Sequence, residues 1–309
     1  MKIAVIGAGH WGINLVRNLH ALEVLSHVVE TDPEIINAVS EEMPDAQFLN
    51  EYNDLLSSDV DAVAIATPAG THYEIASHFL KSGKDVFIEK PMTLCSKEAR
   101  DLVSDAEHNA SVLMVGHMLL YQPAIQFIKS YLEQNHLGRI YHLHQKRLKL
   151  GRVRTEENVL WSLGVHDIAV LLYLVGSSPE KVEFSGHCGI QEQIEDDAYV
   201  HMTFDGGIMA HLHSSWLWPE NRRSLKIIGA KGMLVYDEME QAVVLYKKRI
   251  GNDFENIDEG EEILFKGSNE PLRLEMEHFI HCIRSREEPL SNGRSGAEVI
   301  RVLESLKKN

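Results

Sequence analysis

The chain has 309 residues, 44% hydrophobic and 25% charged, a composition that excludes long disordered, collagen-like and coiled-coil stretches and, at about 150 residues per domain, predicts two domains. Thirty basic against forty-six acidic side chains leave a formal charge of -16, which repels nucleic acid and anionic membranes, so any anionic ligand must be met by a local cluster of cations. The longest apolar run, Ile168 to Val175, falls far short of the roughly 18 residues that cross a bilayer.

The first third alternates strand-like and helix-like segments at the spacing of parallel βαβ units. Lys2 to Ile6 reads as a strand, Trp11 to Leu22 as a helix, Leu25 to Glu30 as a strand and Pro33 to Met43 as a helix. Asp61 to Thr67 is the next strand, Thr71 to Ser82 a helix, Asp85 to Ile88 a strand, Ser96 to Asn109 a helix capped by Ser96, and Ser111 to Val115 a strand. After about Met118 a helix, Pro123 to Gln134, leads into an antiparallel pattern. Its strands fall near Arg139 to Lys149, Lys181 to Cys188, Ala198 to Phe204, Gly207 to Ser214, Ser224 to Ile228, Met233 to Tyr236 and Ala242 to Lys247, with Asp205-Gly206 as a hairpin signal. Helices at Gly164 to Val175, Leu272 to Ser285 and Gly296 to Lys307 complete it, and the acidic stretch Asn252 to Glu262 reads as a solvated loop. The expected fold is α/β: a doubly wound parallel sheet over 1–118, then an α/β domain over 119–309 built on a mainly antiparallel open sheet.

Gly7, Gly9 and Gly12 form Gly-x-Gly-x-x-Gly between the first strand and first helix, and Glu30 ends the second strand. In that setting the first glycine allows a tight turn, the second lets backbone approach a pyrophosphate and the third permits close helix packing. The same turn also serves other Rossmann ligands such as S-adenosylmethionine, but the acid after the second strand points to a dinucleotide. Glu30 can accept hydrogen bonds from a ribose diol and repels a 2′-phosphate, which favours NAD over NADP. Asp32 can take the same role, and spacing does not choose between them.

Glu89-Lys90-Pro91 follows the strand Asp85 to Ile88, at a carboxyl end of the parallel sheet where ligands of open α/β folds bind. By spacing alone an exposed surface lysine is the simpler reading. A lysine partly shielded beside a cofactor can exchange protons near neutrality. His142-x-His144 and His211-x-His213 each put two imidazoles on one face of a strand, but no acidic or cysteine ligand stands at a metal-site spacing, so no metal is expected. Cys95, Cys188 and Cys282 are widely spaced with no Cys-x-x-Cys pair, and Met1-Lys2 leads into a strand with no signal-peptide layout, so a soluble cytoplasmic protein is expected.

In order, Gly7-Ala8-Gly9-His10-Trp11-Gly12, Ala66-Thr67-Pro68 with His72, Glu89-Lys90-Pro91, Gly164-Val165-His166-Asp167 and Gly229-Ala230-Lys231-Gly232 resemble the glucose-fructose oxidoreductase, inositol dehydrogenase and MocA (Gfo/Idh/MocA) family over nearly the whole chain. The resemblance implies an NAD-dependent dehydrogenase of a sugar secondary hydroxyl, with Lys90 catalytic beside the nicotinamide and His166 a proton-transfer or hydroxyl-orienting residue. It further implies cofactor contacts from Gly7, Gly9, His10, Trp11, Gly12, Glu30, Thr67, Pro68, His72, Glu89 and Lys90, and a second-domain sheet that forms the substrate site and pairs copies into a homodimer or homotetramer. The family commonly has an aspartate four residues before the histidine; Ser162 stands there and cannot act as an acid or base of ordinary pKa. Asp167 is a second choice, because one residue further round a helix points about 100° away.

Lys146, Arg147, Lys149, Arg152 and Arg154 crowd cations just ahead of His166. They can bind a diphosphate or carboxylate, or stand as charged gatekeepers on a sheet edge. Leu148 to Ser162 also resembles a nucleotide-sugar branch of the family, whose members oxidise C3 of a UDP-linked N-acetylglucosaminuronic acid. On this reading Lys90, Arg147, Arg152, Arg154, Ser162 and His166 hold the substrate. The alternatives are a free polyol or unphosphorylated sugar as substrate, and a non-catalytic NAD-responsive regulator.

Overall fold

The computed structural model describes residues 1–267 and 270–306, so Lys307 at the end of the last expected helix lies outside the described residues. The chain divides into two compact units: Met1–Met118 with Glu270–Arg301, and a second that begins at Leu119 and takes in the described residues up to 267 together with 302–306.

In the first unit, β1 (Ile3–Ile6), α1 (Gly12–Ala21), β2 (Leu25–Val29), α2 (Pro33–Glu42), β3 (Gln47–Leu49), β4 (Ala62–Ile65), α3 (Ala69–Lys81), β5 (Asp85–Ile88), α4 (Ser96–His108) and β6 (Leu113–Val115) alternate along the chain. The six strands are parallel in the order β3-β2-β1-β4-β5-β6, the doubly wound arrangement. β1, β4 and β5 are buried at every position because helices cover both faces of the sheet. The short strand β3 has no counterpart in the sequence reading. α4 begins at Ser96 with Cys95 in the capping position and no side-chain cap, so Ser96 is the first helical residue rather than the cap.

The second unit adds α5 (Pro123–Glu133), β7 (Ile140–Leu150), α6 (Val165–Val175), β8 (Lys181–His187), β9 (Asp197–Thr203), β10 (Met209–Ser215), β11 (Leu217–Gly229), β12 (Gly232–Asp237), β13 (Ala242–Ile250) and β14 (Asn256–Lys266). Its sheet runs β14-β13-β12-β11-β7-β10-β9-β8, antiparallel except for the central β7–β10 pair. Leu143, Ala210, Leu212, Val200, Met202, Leu225, Ile227 and Leu234 alternate onto one buried face, on which α5 and α6 pack.

Two expectations are corrected. The acidic stretch is not a loop: most of it forms edge strand β14, paired to β13 by Lys247–Glu262 at 2.8 Å, Lys248–Asp258 at 3.0 Å and Arg249–Glu259. Opposite charges face each other across the hairpin and leave the sheet edge charged. The C-terminal helices were assigned to the second domain, but α7 (Pro271–Ser285) belongs to the first unit, and α8 (Gly293–Ser305) begins there. α7 packs on α1, its Phe279 ring lies 5.8 Å from that of Phe87 on β5, and Arg286 just after it holds Asp85 at 2.8 Å.

On the core side of β7, Arg147 is buried with Nε 2.8 Å from Asp167 and Nη2 2.9 Å from Glu238, while Gln145 and Arg223 complete the two carboxylates at 2.7 and 3.0 Å. Burial works against the Arg147 charge, but the two carboxylates hold its pKa above the ordinary value. Replacing Arg147 with alanine strands two buried carboxylates and is expected to cost about 3–5 kcal/mol; a urea unfolding series showing a loss below about 1 kcal/mol would contradict this role.

Candidate active site

The turn between β1 and α1 is built by close backbone approach. Gly7 has φ +89°, and a β-carbon there would stand 3.0 Å from the Ala66 backbone. At Gly12 a β-carbon would lie 2.0 Å from the Gly7 carbonyl oxygen, so this position admits only glycine. A β-carbon on Gly9 would meet nothing within 4 Å, so that side of the turn is open. No side chain caps α1 and its first turn carries no acid, which leaves the positive end of the helix open to an anion, although the Ile13 and Asn14 amides already donate to the Gly9 and Trp11 carbonyls at 3.1 and 2.9 Å. The exposed His10 adjoins them.

Glu30, just past β2, reaches this turn: its carboxylate accepts the Ala8 N–H at 2.8 Å and those of Thr31 and Asp32 at 2.7 and 3.1 Å. Asp32 instead caps α2, accepting the Glu34 N–H at 2.9 Å. The choice that spacing left open is thereby made: Glu30 is the acid beside the glycine turn. Open space at Gly9, a helix N-terminus with no side-chain cap and a carboxylate at the end of β2 fit the pyrophosphate and adenosine ribose of a dinucleotide.

Thr67 and Pro68 follow β4, and Glu89, Lys90 and Pro91 follow β5, both at carboxyl ends of the sheet. The Lys90–Pro91 peptide is cis, and Lys90 is partly exposed. His72 differs from expectation: it is buried, with ring nitrogens 2.9 Å from the Pro91 carbonyl and 2.8 Å from that of Thr67. Both nitrogens are turned to these loops and away from a cofactor; burial holds its pKa low against the pull of the carbonyls, and the neutral ring donates its single N–H to one of the two. Glu89 is likewise buried, accepting the Trp11 indole N–H at 2.5 Å and the Lys90 amide at 3.2 Å. It therefore positions Trp11 and the lysine loop, and burial raises its pKa.

Two residues near this loop escaped the sequence reading. His117 follows β6, the strand beside β5; it is fully enclosed, neither ring nitrogen has a hydrogen-bond partner among the described residues, and burial and then Lys90 push its pKa down to about 3. Its place after a parallel strand was the available signal. Glu275 on α7 is buried, with neither carboxyl oxygen hydrogen-bonded among the described residues; burial and then Glu89 raise its pKa well above the ordinary value. Nothing in the sequence marks it, since it sits in an amphipathic helix far along the chain.

In the second unit, the Asn158 side chain accepts the Leu160 and Trp161 amides, each at 3.1 Å, and starts a π-helical turn over Leu160–Gly164 that runs into α6. A single π turn of this kind is frequent at functional sites. Ser162 is buried in it and His166, on the first turn of α6, is partly exposed. Asp167 is turned into the core toward Arg147, as the helical rotation required. Arg147 therefore leaves the set of substrate cations, because both carboxylates already hold it. Arg152 and Arg154 are exposed, and Lys149 is half-buried, its pKa lowered by burial and then by Arg223, Arg147 and Arg154. Arg154 lies 3.7 Å from Glu157, so the positive charge along this segment is only partly compensated.

A family profile described as "Oxidoreductase family, NAD-binding Rossmann fold" matches residues 1–117, and the "GFO/IDH/MocA C-terminal domain" profile matches 125–235. The chain belongs to the Gfo/Idh/MocA oxidoreductase family. Its first unit is that family's NAD-binding domain. Over 301 residues, 97% of this chain and 94% of the relative, it is 29% identical to UDP-N-acetylglucosamine 3-dehydrogenase of Acidithiobacillus ferrooxidans. A solved structure of that enzyme covers 99% of this chain and 96% of its own, with a TM-score of 0.88 and 28% identity. The scyllo-inositol 2-dehydrogenase (NAD(+)) of Bacillus subtilis is 25% identical over 252 residues, 77% of this chain and 72% of that enzyme. No described helix is long and apolar enough to cross a membrane.

Two variants separate ligand binding from folding at the glycine turn. Gly9→Ala meets open space, so the fold should keep its stability while NAD affinity by calorimetry falls; Gly12→Ala should lose about 3 kcal/mol or more from the clash with the Gly7 carbonyl. Glu275 yields a pH signature. Its raised pKa means the folded chain keeps a proton that the unfolded chain releases above the ordinary 4.5, so wild-type stability should fall as pH rises from there toward the folded pKa. Glu275→Gln should lack that slope, and parallel urea curves for both proteins at about pH 5 and about pH 8 would refute the protonated carboxyl.

Proposed function

We propose that the chain is an NAD-preferring dehydrogenase of the C3 hydroxyl of a UDP-linked N-acetylamino sugar, working in the cytoplasm as a homodimer or homotetramer. The observation that carries the substrate is the exposed cation segment at Arg152 and Arg154, just ahead of His166, in a chain of net charge -16. Its charge suits a diphosphate, and arginine matches phosphate oxygens bidentately. The match to UDP-N-acetylglucosamine 3-dehydrogenase over almost its full length supports the same class. With Arg147 engaged by Asp167 and Glu238 and Arg154 beside Glu157, Lys149, Arg152 and Arg154 are cations of the cluster left to meet the diphosphate, and the assay decides whether the sugar carries a uronate.

Bound NAD supplies the hydride acceptor. Lys90, in its neutral form, takes the hydroxyl proton at Nζ, and His166 orients the hydroxyl. Ser162, in place of the family's usual aspartate, offers a hydrogen bond but no titratable proton, which concentrates acid–base work on Lys90. Glu30 beside the glycine turn supports NAD over NADP, since a 2′-phosphate would meet its carboxylate. Tyr199, Met209 and Ile263, exposed on the open face of the second-unit sheet, support self-association, which light scattering reads directly.

Single-turnover nicotinamide absorbance with UDP-N-acetylglucosamine, its uronate and myo-inositol tests the reading. NADH should form with a UDP sugar, Lys90→Met should slow the step by about 10²–10⁴ with NAD affinity kept, and glutamine at Arg152 and Arg154 should raise KM. Turnover of myo-inositol alone would select the polyol, and no hydride exchange with any of the three would select a regulator.

A further inference from the structure

Four imidazoles stand together on the open face of the second-unit sheet. His142 and His144 lie two apart on β7 and share that face. Strand register sets His144 opposite His211 of β10, and His211 opposite His201 of β9. His142 Nδ1 is 2.8 Å from His144 Nε2, the His144 and His211 ring centroids are 4.6 Å apart, and His201 Nδ1 is 2.7 Å from His211 Nδ1. One ring nitrogen from each of His142, His144 and His211 lies within 4.8 Å of the other two, and all three rings are half-buried. Each nitrogen–nitrogen contact needs one ring to donate N–H and the other to offer a lone pair, so each contacting pair holds at least one neutral ring. His213, two residues after His211, is not part of the group: it stacks on Tyr199 at 3.9 Å and bonds Asp197 at 3.1 Å.

We propose that His142, His144 and His211 bind a zinc ion, with water in the fourth position and His201 holding His211 from behind. Three neutral imidazoles with no oxygen donor suit zinc and disfavour magnesium and calcium, which seek carboxylate and carbonyl oxygens. Zinc–nitrogen bonds of about 2.0–2.1 Å place tetrahedral donors roughly 3.3 Å apart, and the three rings reach this by turning about their Cβ–Cγ bonds, a broad torsion for histidine. The His201 contact occupies Nδ1 of His211 and leaves its Nε2 for the ion, the usual way an outer partner orients a ligating ring. Lys146 and Lys226 flank His144 and oppose a cation, whereas Glu183 stands opposite His201 and favours one. The ion ties β7 to β10, the central parallel pair of the sheet.

The experiment uses the untagged full-length chain, stripped by a chelator and titrated with zinc chloride against a chromophoric competitor, with metal content measured after gel filtration. About one zinc per chain should be retained, excess magnesium should not displace it, and zinc should raise Tm. His144→Gln and His211→Gln should each lose that equivalent and the Tm shift. His281→Gln, which alters an exposed histidine paired with Glu287 on another element, should keep both. These are partly exposed rings, so circular dichroism should show folded variants, and His142→Gln reads the same equivalent if one of them fails. A wild-type chain that retains no stoichiometric zinc overturns the proposal, as does retention by both His144→Gln and His211→Gln.

Discussion

The buried carboxylate of Glu89 is the constraint on which the geometry of the first unit turns. It sits at the end of β5, where a β-carbon on Gly116 would come within 3.0 Å of it, and it accepts the Trp11 indole and the Lys90 amide. The glycine turn and the lysine loop are separated along the chain by four strands of the parallel sheet, and Trp11 lies 78 residues before Glu89, yet both are fastened to this one side chain. A charged group so enclosed is costly unless its lone pairs are satisfied. Its two partners satisfy it only when Trp11 and Lys90 are in place. His72 performs the matching task between the loops after β4 and β5, using two backbone carbonyls. The Lys90 loop is thus held by buried polar contacts rather than by its own conformation.

The second unit shows how one sheet carries two kinds of chemistry. Alternation along β7 sends Gln145 and Arg147 into the core, where a buried ion network links β7 to α6 and to Glu238 just past β12, and sends His142 and His144 to the open face. The central strand therefore has a charged interior side and an imidazole-lined exterior side. A shift of register by one residue would exchange them, so the buried network and the pairing of β7 with β10 define each other.

Much of the architecture was legible because local signals and tertiary structure agree. Continuous apolar runs such as Ile3–Ile6 and Ala62–Ile65 occur where both faces of a sheet are covered, and the spacing of glycines between β1 and α1 reflects contacts within one turn of chain. The ordered motifs also indicated the family that the profile matches establish. The failures share one cause. Arg147 looked like its neighbours Arg152 and Arg154, and β14 looked like a solvated acidic loop, because the partners that decide each case lie far along the chain: Asp167 and Glu238 for the arginine, Lys247 to Arg249 for the strand.

By itself the sequence determined the two-domain α/β class and the dinucleotide turn, since each depends on spacing within a few residues or on a short-period pattern, whereas Lys90 and His166 were singled out by the resemblance of their motifs to the family. Only the tertiary structure decided that Glu30 rather than Asp32 reaches the glycine turn, that α7 returns to the first unit with Glu275 buried, and that β7 and β10 bring three imidazoles together. These outcomes depend on which strand lies beside which and which way a side chain points. Hydrogen bonds and ion pairs form at about 3 Å in space, whatever the separation in sequence.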